Sequence, residues 1–225
     1  MNSIEACNFA IDKKLDDVRN LITTALRYVG IITVPASFFF LLFGERVAEA
    51  LFFGISEDSA IFIGRLLSAM ALGLIPLSIN LVLIRGLNAF ENTKYQVVSN
   101  LFINVVAVVL SLIAYTTMEA RSVTLGLALA FTASYWCGII ASYFLLKRFT
   151  GALNIATTAL FYLRVSLAAL VAVVCVAFLA DRLDLSGNFV DLIGVLVATS
   201  LIYILVARAM KIAEVGQTIK VLLRR

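Results

Sequence analysis

Long apolar runs alternate with short polar segments along the whole chain. Six runs have the length that a helix needs to cross a bilayer, since about 20 mostly apolar residues span about 30 Å of hydrocarbon. These runs lie at about 26–43, 60–87, 97–117, 123–146, 160–180 and 189–209. The pattern predicts an all-α fold, a polytopic transmembrane helical bundle with six spans. Because the connections are short, we expect consecutive helices to pack as antiparallel neighbours.

Pro35 and Pro76 lie inside the first and second runs. A proline usually breaks a soluble helix, because it lacks an N–H group and its ring meets the preceding turn. Inside a bilayer it is tolerated, since a neighbouring helix, a hydroxyl group or a water molecule can bind the carbonyl that it frees. We therefore expect both helices to continue through their prolines.

Positive charge is distributed unevenly among the connections. All but four of the 18 Lys and Arg residues lie in, or within a few residues of, four regions: the segment before the first span, the connection between the second and third, the fourth–fifth connection and the tail after the sixth. Cytoplasmic loops are enriched in Lys and Arg, so this predicts that both termini are cytoplasmic (N-in/C-in). We expect a multi-pass protein of the cell inner (plasma) membrane. Residues 1–25 would form a cytoplasmic or interfacial segment, 26–209 the six-helix transmembrane domain and 210–225 a basic cytoplasmic tail.

The composition agrees with a membrane protein and excludes several functions. Hydrophobic residues make up 62% of the 225 residues and charged residues 14%, against about 45–50% and about 25% in soluble domains. The cations are scattered between apolar runs, so we expect membrane lipid and no nucleic acid as a partner. Histidine is absent and Cys7, Cys137 and Cys175 are isolated, so we expect no metal site and no cofactor. The spans lack a central carboxylate and a nucleophile–base pair, so we expect no enzyme.

Polar and small residues recur at three- and four-residue steps in the second and third spans, which places each set on one helical face. The second span carries Arg65, Ala69, Gly73, Pro76 and Asn80, and the third carries Asn100, Asn104, Ala107 and Ser111. Such faces are typical of helices that pack and hydrogen-bond against each other. They could also line a polar cavity that is open to water. The arginines at the span ends (Arg65, Arg85 and Arg164) have a simpler explanation as well, because their side chains can reach the interface.

The fourth span carries five small residues at strict four-residue spacing, namely Gly126, Ala130, Ser134, Gly138 and Ser142. A ridge of this kind lets two membrane helices approach closely, so we interpret it as a helix-packing surface. A second interpretation is that a neighbouring helix slides along the ridge during a conformational change.

The segment around Pro76 resembles a motif of the MurJ/MviN family. In that family a glycine–proline helix is followed by R-x-F-Y-A-x-x-D-T-R-T-P. Gly73 and Pro76 are followed here by Arg85, Ala89 and Thr93 at matching positions. Lys94 stands in place of a second basic residue, and Asn88, Asn92 and Gln96 depart where the family often has Tyr, Asp and Pro. Similar segments elsewhere, including Pro35, Asn104 and 126–130, follow the family order.

Members of that family are lipid II flippases of peptidoglycan synthesis, within the multidrug/oligosaccharidyl-lipid/polysaccharide exporter superfamily. They usually have about fourteen spans, and this chain resembles spans nine to fourteen. Its first four helices would complete the second lobe, and its last two would form the added pair that borders a lipid-tail groove. The N-terminal lobe, with the arginines that the family uses for the pyrophosphate, has no counterpart here. The resemblance therefore leaves three alternatives: a fragment, one half of a split gene whose N-terminal lobe is supplied by another chain as a partner, or a degenerate remnant.

The implied function is part of a lipid II flippase, which moves undecaprenyl-pyrophosphate-linked peptidoglycan precursor across the inner membrane. Its candidate substrate-binding residues, which would line the cavity, are Arg65, Asn80, Arg85, Asn100 and Asn104. One alternative is a polysaccharide-repeat flippase of the same superfamily, which the neighbouring genes would distinguish. Another is a non-transporting membrane assembly subunit or fragment, to which no lipid-linked headgroup would crosslink.

Overall fold

The computed structural model describes residues 3–52, 54, 56–90, 93–119, 122–182, 189–210 and 212. These residues form six helices and no strand: α1 (Ser3–Leu51), α2 (Glu57–Asn88), α3 (Thr93–Thr117), α4 (Val123–Thr150), α5 (Ile155–Arg182) and α6 (Phe189–Ala209). Each helix is long and apolar enough to cross a membrane. The predicted all-α, six-span architecture is therefore confirmed. Most of the basic tail (213–225) and Asn92 of the motif lie outside the described residues.

α1 is much longer than a membrane span, with 49 residues. At 1.5 Å per residue it extends about 74 Å, more than twice the thickness of the hydrocarbon layer. The helix therefore runs without interruption from a segment outside the bilayer into the first span. The boundary predicted near residue 25 falls inside α1, and the division at that point stays a prediction.

The helix continues through both prolines, Pro35 in α1 and Pro76 in α2. A hydroxyl group lies two residues after each proline and contacts the other helix. Ser37 Oγ donates to the carbonyl oxygen of Ala71 at 2.5 Å, and Ser78 Oγ lies 3.2 Å from Thr33 Oγ1. These contacts join α1 and α2 near the points where each helix lacks a backbone hydrogen bond because of its proline.

α1 and α2 also approach closely at a pair of glycines, Gly44 and Gly64. A Cβ at Gly64 would lie 2.5 Å from the Cα of Glu45, and one at Gly44 would lie 2.7 Å from the carbonyl oxygen of Gly64. No side chain fits in either place, so the two backbones are in direct contact. Small residues permit such close crossings between membrane helices.

α1 is the helix that joins two groups of helices. On one side it packs with α2 and α4 around a buried cluster that includes Ile22, Leu26, Leu83, Leu87 and Leu146. On the other side it packs with α5 and α6 around a cluster that includes Val34, Val165, Ala168, Ala172 and Ala207. Three alanines of α5, namely Ala168, Ala169 and Ala172, are fully buried, which lets that helix approach α1 closely. α3 packs mainly on α4 and leaves most of its surface exposed.

Two arginines of α1 show how the ends of the helices are arranged. Arg19 Nε donates to the carbonyl oxygen of Thr150 at the end of α4, and its Nη1 lies 2.6 Å from Asp16 Oδ1. Arg46 Nη2 lies 2.6 Å from Asp181 Oδ1 near the end of α5. Arg19, about a third of the way along α1, therefore lies beside the end of α4, and the end of α1 lies beside the end of α5, as expected when successive helices alternate in direction.

Candidate functional site

A groove of about 640 Å³ lies between α1, α2, α4 and α5. Its size falls within the range of about 300–1,000 Å³ that is common for ligand sites. The walls are almost entirely apolar and are formed by Leu26, Ile75, Ile79, Leu83, Trp136, Ile139, Ile140, Tyr143, Phe144, Leu153, Ile155, Thr158, Ala159, Tyr162, Leu163 and Ser166. Such a surface fits a hydrocarbon chain and has few groups that could orient a polar ligand.

A smaller cavity of about 260 Å³ shares Ile75 and Trp136 with the groove and continues it along α2. Ser37 and Thr132 line this part. Their hydroxyl groups donate to backbone carbonyls, since Ser37 Oγ lies 2.5 Å from Ala71 O and Thr132 Oγ1 lies 3.2 Å from Ala69 O. The hydroxyl hydrogens are therefore used within the protein, and the continuation presents mainly hydrocarbon to a ligand.

Tyr162 of α5 fixes one wall of the groove against α1. Its hydroxyl group donates to the carbonyl oxygen of Leu26 at 2.9 Å. Gly30, one turn further along α1, makes room for the ring, because a Cβ there would lie 2.9–3.1 Å from three atoms of Tyr162. The tyrosine thus sets the separation of α1 and α5 at the groove.

A buried polar chain connects α2, α3 and α4. Ser142 Oγ lies 2.6 Å from Asn80 Oδ1 and 2.6 Å from Ser99 Oγ. All three side chains are at most 2% exposed. In this conformation Asn80 therefore bonds to a neighbouring helix, and its predicted role as a substrate contact stays untested.

The other four candidate substrate contacts (Arg65, Arg85, Asn100 and Asn104) are exposed. Arg65 and Arg85 are twenty residues apart on α2, which separates them by about 30 Å along the helix. The structure does not bring these two cations together. Asn100 and Asn104 lie one turn apart on α3 and share one flank of that helix.

The flank of α3 that carries these asparagines faces away from the groove side of the bundle. A slot of about 210 Å³ lies on the other flank, where Val98 and Phe102 meet Phe144 of α4, and Phe144 also lines the groove. Likewise, the exposed residues Leu81 and Arg85 of α2 lie on the side of that helix opposite Ile79 and Leu83 of the groove. The polar candidates near the end of α2 and the start of α3 thus lie on a different surface from the apolar groove.

The five small residues of α4 are all buried, namely Gly126, Ala130, Ser134, Gly138 and Ser142. A Cβ at Gly138 would lie 2.6 Å from Ile103 Cγ1 of α3, and one at Gly126 would lie 3.0 Å from Ala114 Cβ. The ridge therefore lies close to α3 at these two glycines, and both the packing and the sliding interpretation stay predictions.

No pattern in the sequence indicated Tyr162, Tyr203, Ser99 or Thr132. A tyrosine or serine in an apolar run gives no sign of which distant helix it will contact. One sequence signal was available, namely Pro35. It has no N–H group, so the carbonyl of Ile31, four residues earlier, needs another donor. That carbonyl accepts a hydrogen bond from Tyr203 Oη at 3.1 Å.

Comparisons with known proteins agree with this architecture. The structure resembles a solved lipid II flippase MurJ in an inward closed conformation, with a TM-score of 0.70 and 18% sequence identity. The match covers 89% of this chain and 40% of that one, so the chain spans well under half of the solved protein. A search of curated proteins finds no match. The family model for the lipid II flippase MurJ matches residues 7–209, which include nearly all of the six helices, and the chain therefore belongs to the MurJ family as a multi-pass membrane protein.

Proposed function

We propose that this chain is part of a lipid II flippase that moves undecaprenyl-anchored peptidoglycan precursor across the inner membrane. The observation that carries the proposal is the apolar groove of about 640 Å³ between α4 and α5, in a chain that belongs to the MurJ family. A polyisoprenyl tail is a long hydrocarbon, and the groove walls offer it hydrocarbon with few polar atoms. The tail would occupy the groove while the headgroup crosses elsewhere.

The headgroup would cross beside the exposed polar surface near the α2–α3 connection. Arg85 and Asn104 lie on the exposed side of α2 and on the polar flank of α3. An exposed amide within hydrocarbon is unfavourable, so this flank fits a surface that faces a polar cavity or other helices. Arg85, Asn100 and Asn104 are our candidates for headgroup contacts. Arg65, at the other end of α2, would act at the opposite membrane face, and Asn80 would take part only if its bond to Ser142 opened.

A second set of helices is needed to enclose such a cavity. The chain matches 40% of the solved flippase, and we infer that an N-terminal lobe forms the facing wall. With both termini in the cytoplasm, the bulk of the cations lies on the inner side. Moving an anionic headgroup toward a positive exterior is favoured by about 2.3 kcal/mol per charge per 100 mV, so this mechanism needs no nucleotide.

The groove assignment can be tested with tryptophans that fill it. Ile140 and Leu163 line opposite walls and are 58% and 57% exposed. With a photoreactive polyisoprenyl-pyrophosphate probe in membranes, Ile140→Trp and Leu163→Trp should reduce crosslinking about tenfold or more. Leu201→Trp is a matched control, because Leu201 is 57% exposed on α6 and does not line the groove. Equal crosslinking of all three variants would exclude the groove as the tail site.

Transport itself requires a separate experiment in a flippase-depleted strain. The chain should restore growth when it is expressed with an N-terminal lobe, and Arg85→Ala or Asn104→Ala should then reduce growth. Arg208→Ala, an exposed cation of α6, serves as the control. If the probe does not crosslink to the chain and no combination with a lobe restores growth, the chain is a non-transporting assembly subunit.

A further inference from the structure

Pro35 leaves one backbone carbonyl of α1 without its ordinary helical partner. In an α-helix the N–H of residue 35 would bind the carbonyl of Ile31, but proline has no N–H. The surrounding side chains exclude water, since Ile31 is 6% exposed and Val34 is fully buried. A buried carbonyl without a donor is strongly unfavourable in a membrane. Another part of the protein must therefore supply the missing donor.

Tyr203 of α6 supplies it. Its side chain is 5% exposed, and its Oη donates to the carbonyl oxygen of Ile31 at 3.1 Å. The two residues are 172 positions apart in sequence. Tyr203 belongs to the same buried cluster as Ile31 and Val34. The hydroxyl group thus donates to the carbonyl that the amide of residue 35 would bind in an uninterrupted helix.

Tyr162 makes a similar bond in a different setting, which provides an internal comparison. Its hydroxyl group donates to the carbonyl oxygen of Leu26 at 2.9 Å. The residue four positions after Leu26 is Gly30, which has an N–H group, so the carbonyl of Leu26 has a helical donor as well. A carbonyl oxygen has two lone pairs and can accept both bonds. The bond of Tyr162 is therefore additional, whereas the bond of Tyr203 replaces one that α1 lacks.

We propose that Pro35 and Tyr203 act as one unit, in which docking of α6 stabilises α1 at its proline. While the bond is made, α1 is fixed at Ile31, about one turn from Leu26 in the groove wall. When α6 moves away, α1 loses its donor at this point and bends more easily, and the wall formed by Leu26 and Tyr162 moves with it. The unit would therefore couple the position of α6 to the width of the groove. This inference concerns the helices themselves and holds whether or not the chain transports lipid II.

A double-mutant cycle tests the unit directly. Tyr203→Phe removes the hydroxyl group and keeps the ring, while Pro35→Ala restores an N–H group that can bind Ile31. In detergent micelles, Tyr203→Phe should raise the unfolding equilibrium constant about tenfold in the Pro35 chain, because it leaves a buried acceptor unsatisfied. In the Pro35→Ala chain the same change should raise it less than about twofold. Equal effects in the two backgrounds would overturn the proposal.

Tyr162→Phe is the matched control for this cycle. Because Leu26 keeps the N–H of Gly30, the effect of Tyr162→Phe should be the same in the Pro35 chain and in the Pro35→Ala chain. If the effect of Tyr162→Phe differed between the two backgrounds as much as that of Tyr203→Phe, the cycle would report a general loss of helix packing. This result too would contradict the proposed unit.

The distance between α1 and α6 tests the proposed unit without the Pro35→Ala variant. Ile32 of α1 and Leu205 of α6 are 67% and 66% exposed and flank the bond. With spin labels at these two positions in a chain whose cysteines are replaced by alanine, Tyr203→Phe should lengthen and broaden the distance distribution. Tyr162→Phe should leave it unchanged. An unaltered distribution in Tyr203→Phe would show that the bond does not hold α6 against α1.

Discussion

Three glycines should respond to the same substitution in a fixed order, because the space beside each one differs. At Gly64 an added Cβ would lie 2.5 Å from the Cα of Glu45, an atom that cannot move without the backbone of α1. At Gly138 it would lie 2.6 Å from Ile103 Cγ1, part of a buried side chain that can shift more readily than a backbone atom. At Gly194 of α6 nothing lies within 4 Å. Alanine should therefore destabilise the protein most at Gly64, less at Gly138 and not at all at Gly194.

The magnitudes follow from two opposing effects. Alanine is a better helix former than glycine by about 1 kcal/mol, which favours all three substitutions equally. Overpacking costs about 1–3 kcal/mol and sometimes more. At Gly64 we expect the overpacking to exceed the gain in helix propensity, with a net loss of about 1–3 kcal/mol. At Gly138 the net loss should be smaller, about 1 kcal/mol or less, and Gly194→Ala should stabilise the protein by up to about 1 kcal/mol.

The assay is reversible unfolding in mixed detergent micelles, followed by circular dichroism, with all three variants measured under one set of conditions. Gly44→Ala offers an independent repeat, because its Cβ would lie 2.7 Å from the carbonyl oxygen of Gly64 at the same crossing. If Gly64→Ala proved as stable as Gly194→Ala, the two backbones could not be in contact there, and the packing of α1 on α2 would have to be revised.

Three further substitutions test the polar contacts between helices. Ser142→Ala removes two buried hydrogen bonds and should lower the free energy of unfolding by about 1–2 kcal/mol, since bonds between membrane helices contribute about 0.6 kcal/mol on average and up to about 1.7. Ser200→Ala is the control in the same assay and should change the free energy of unfolding by less than about 0.5 kcal/mol, because Ser200 is exposed and bonds within its own helix. Arg19→Ala should increase proteolysis near residue 151, since its bond to the end of α4 is lost. Arg46→Ala removes an exposed ion pair with Asp181 and should lower the free energy of unfolding by at most about 1 kcal/mol. A larger decrease would show that this contact does not behave as an exposed ion pair.

The sequence by itself determined the number, approximate position and helical nature of the spans. A bilayer requires every spanning segment to satisfy its own backbone hydrogen bonds and to be apolar over about 20 residues, and both requirements are local properties. For the same reason the helices continue through Pro35 and Pro76, although a proline usually breaks a helix in a water-soluble protein. The family resemblance was also visible, because the motif around Arg85 is a contiguous segment.

Only the tertiary structure decided which side of each helix packs against its neighbours. Membrane helices are apolar on nearly all sides, so hydrophobic periodicity does not show which side packs and which side meets lipid. Arg65 and Asn80 share a stripe in the sequence, yet Arg65 is exposed and Asn80 is buried against Ser142. The sequence shows that Pro35 must free a carbonyl, but not that Tyr203 will bind it. That contact depends on how α6 docks on α1, and the docking follows from the shapes of side chains far apart in the chain.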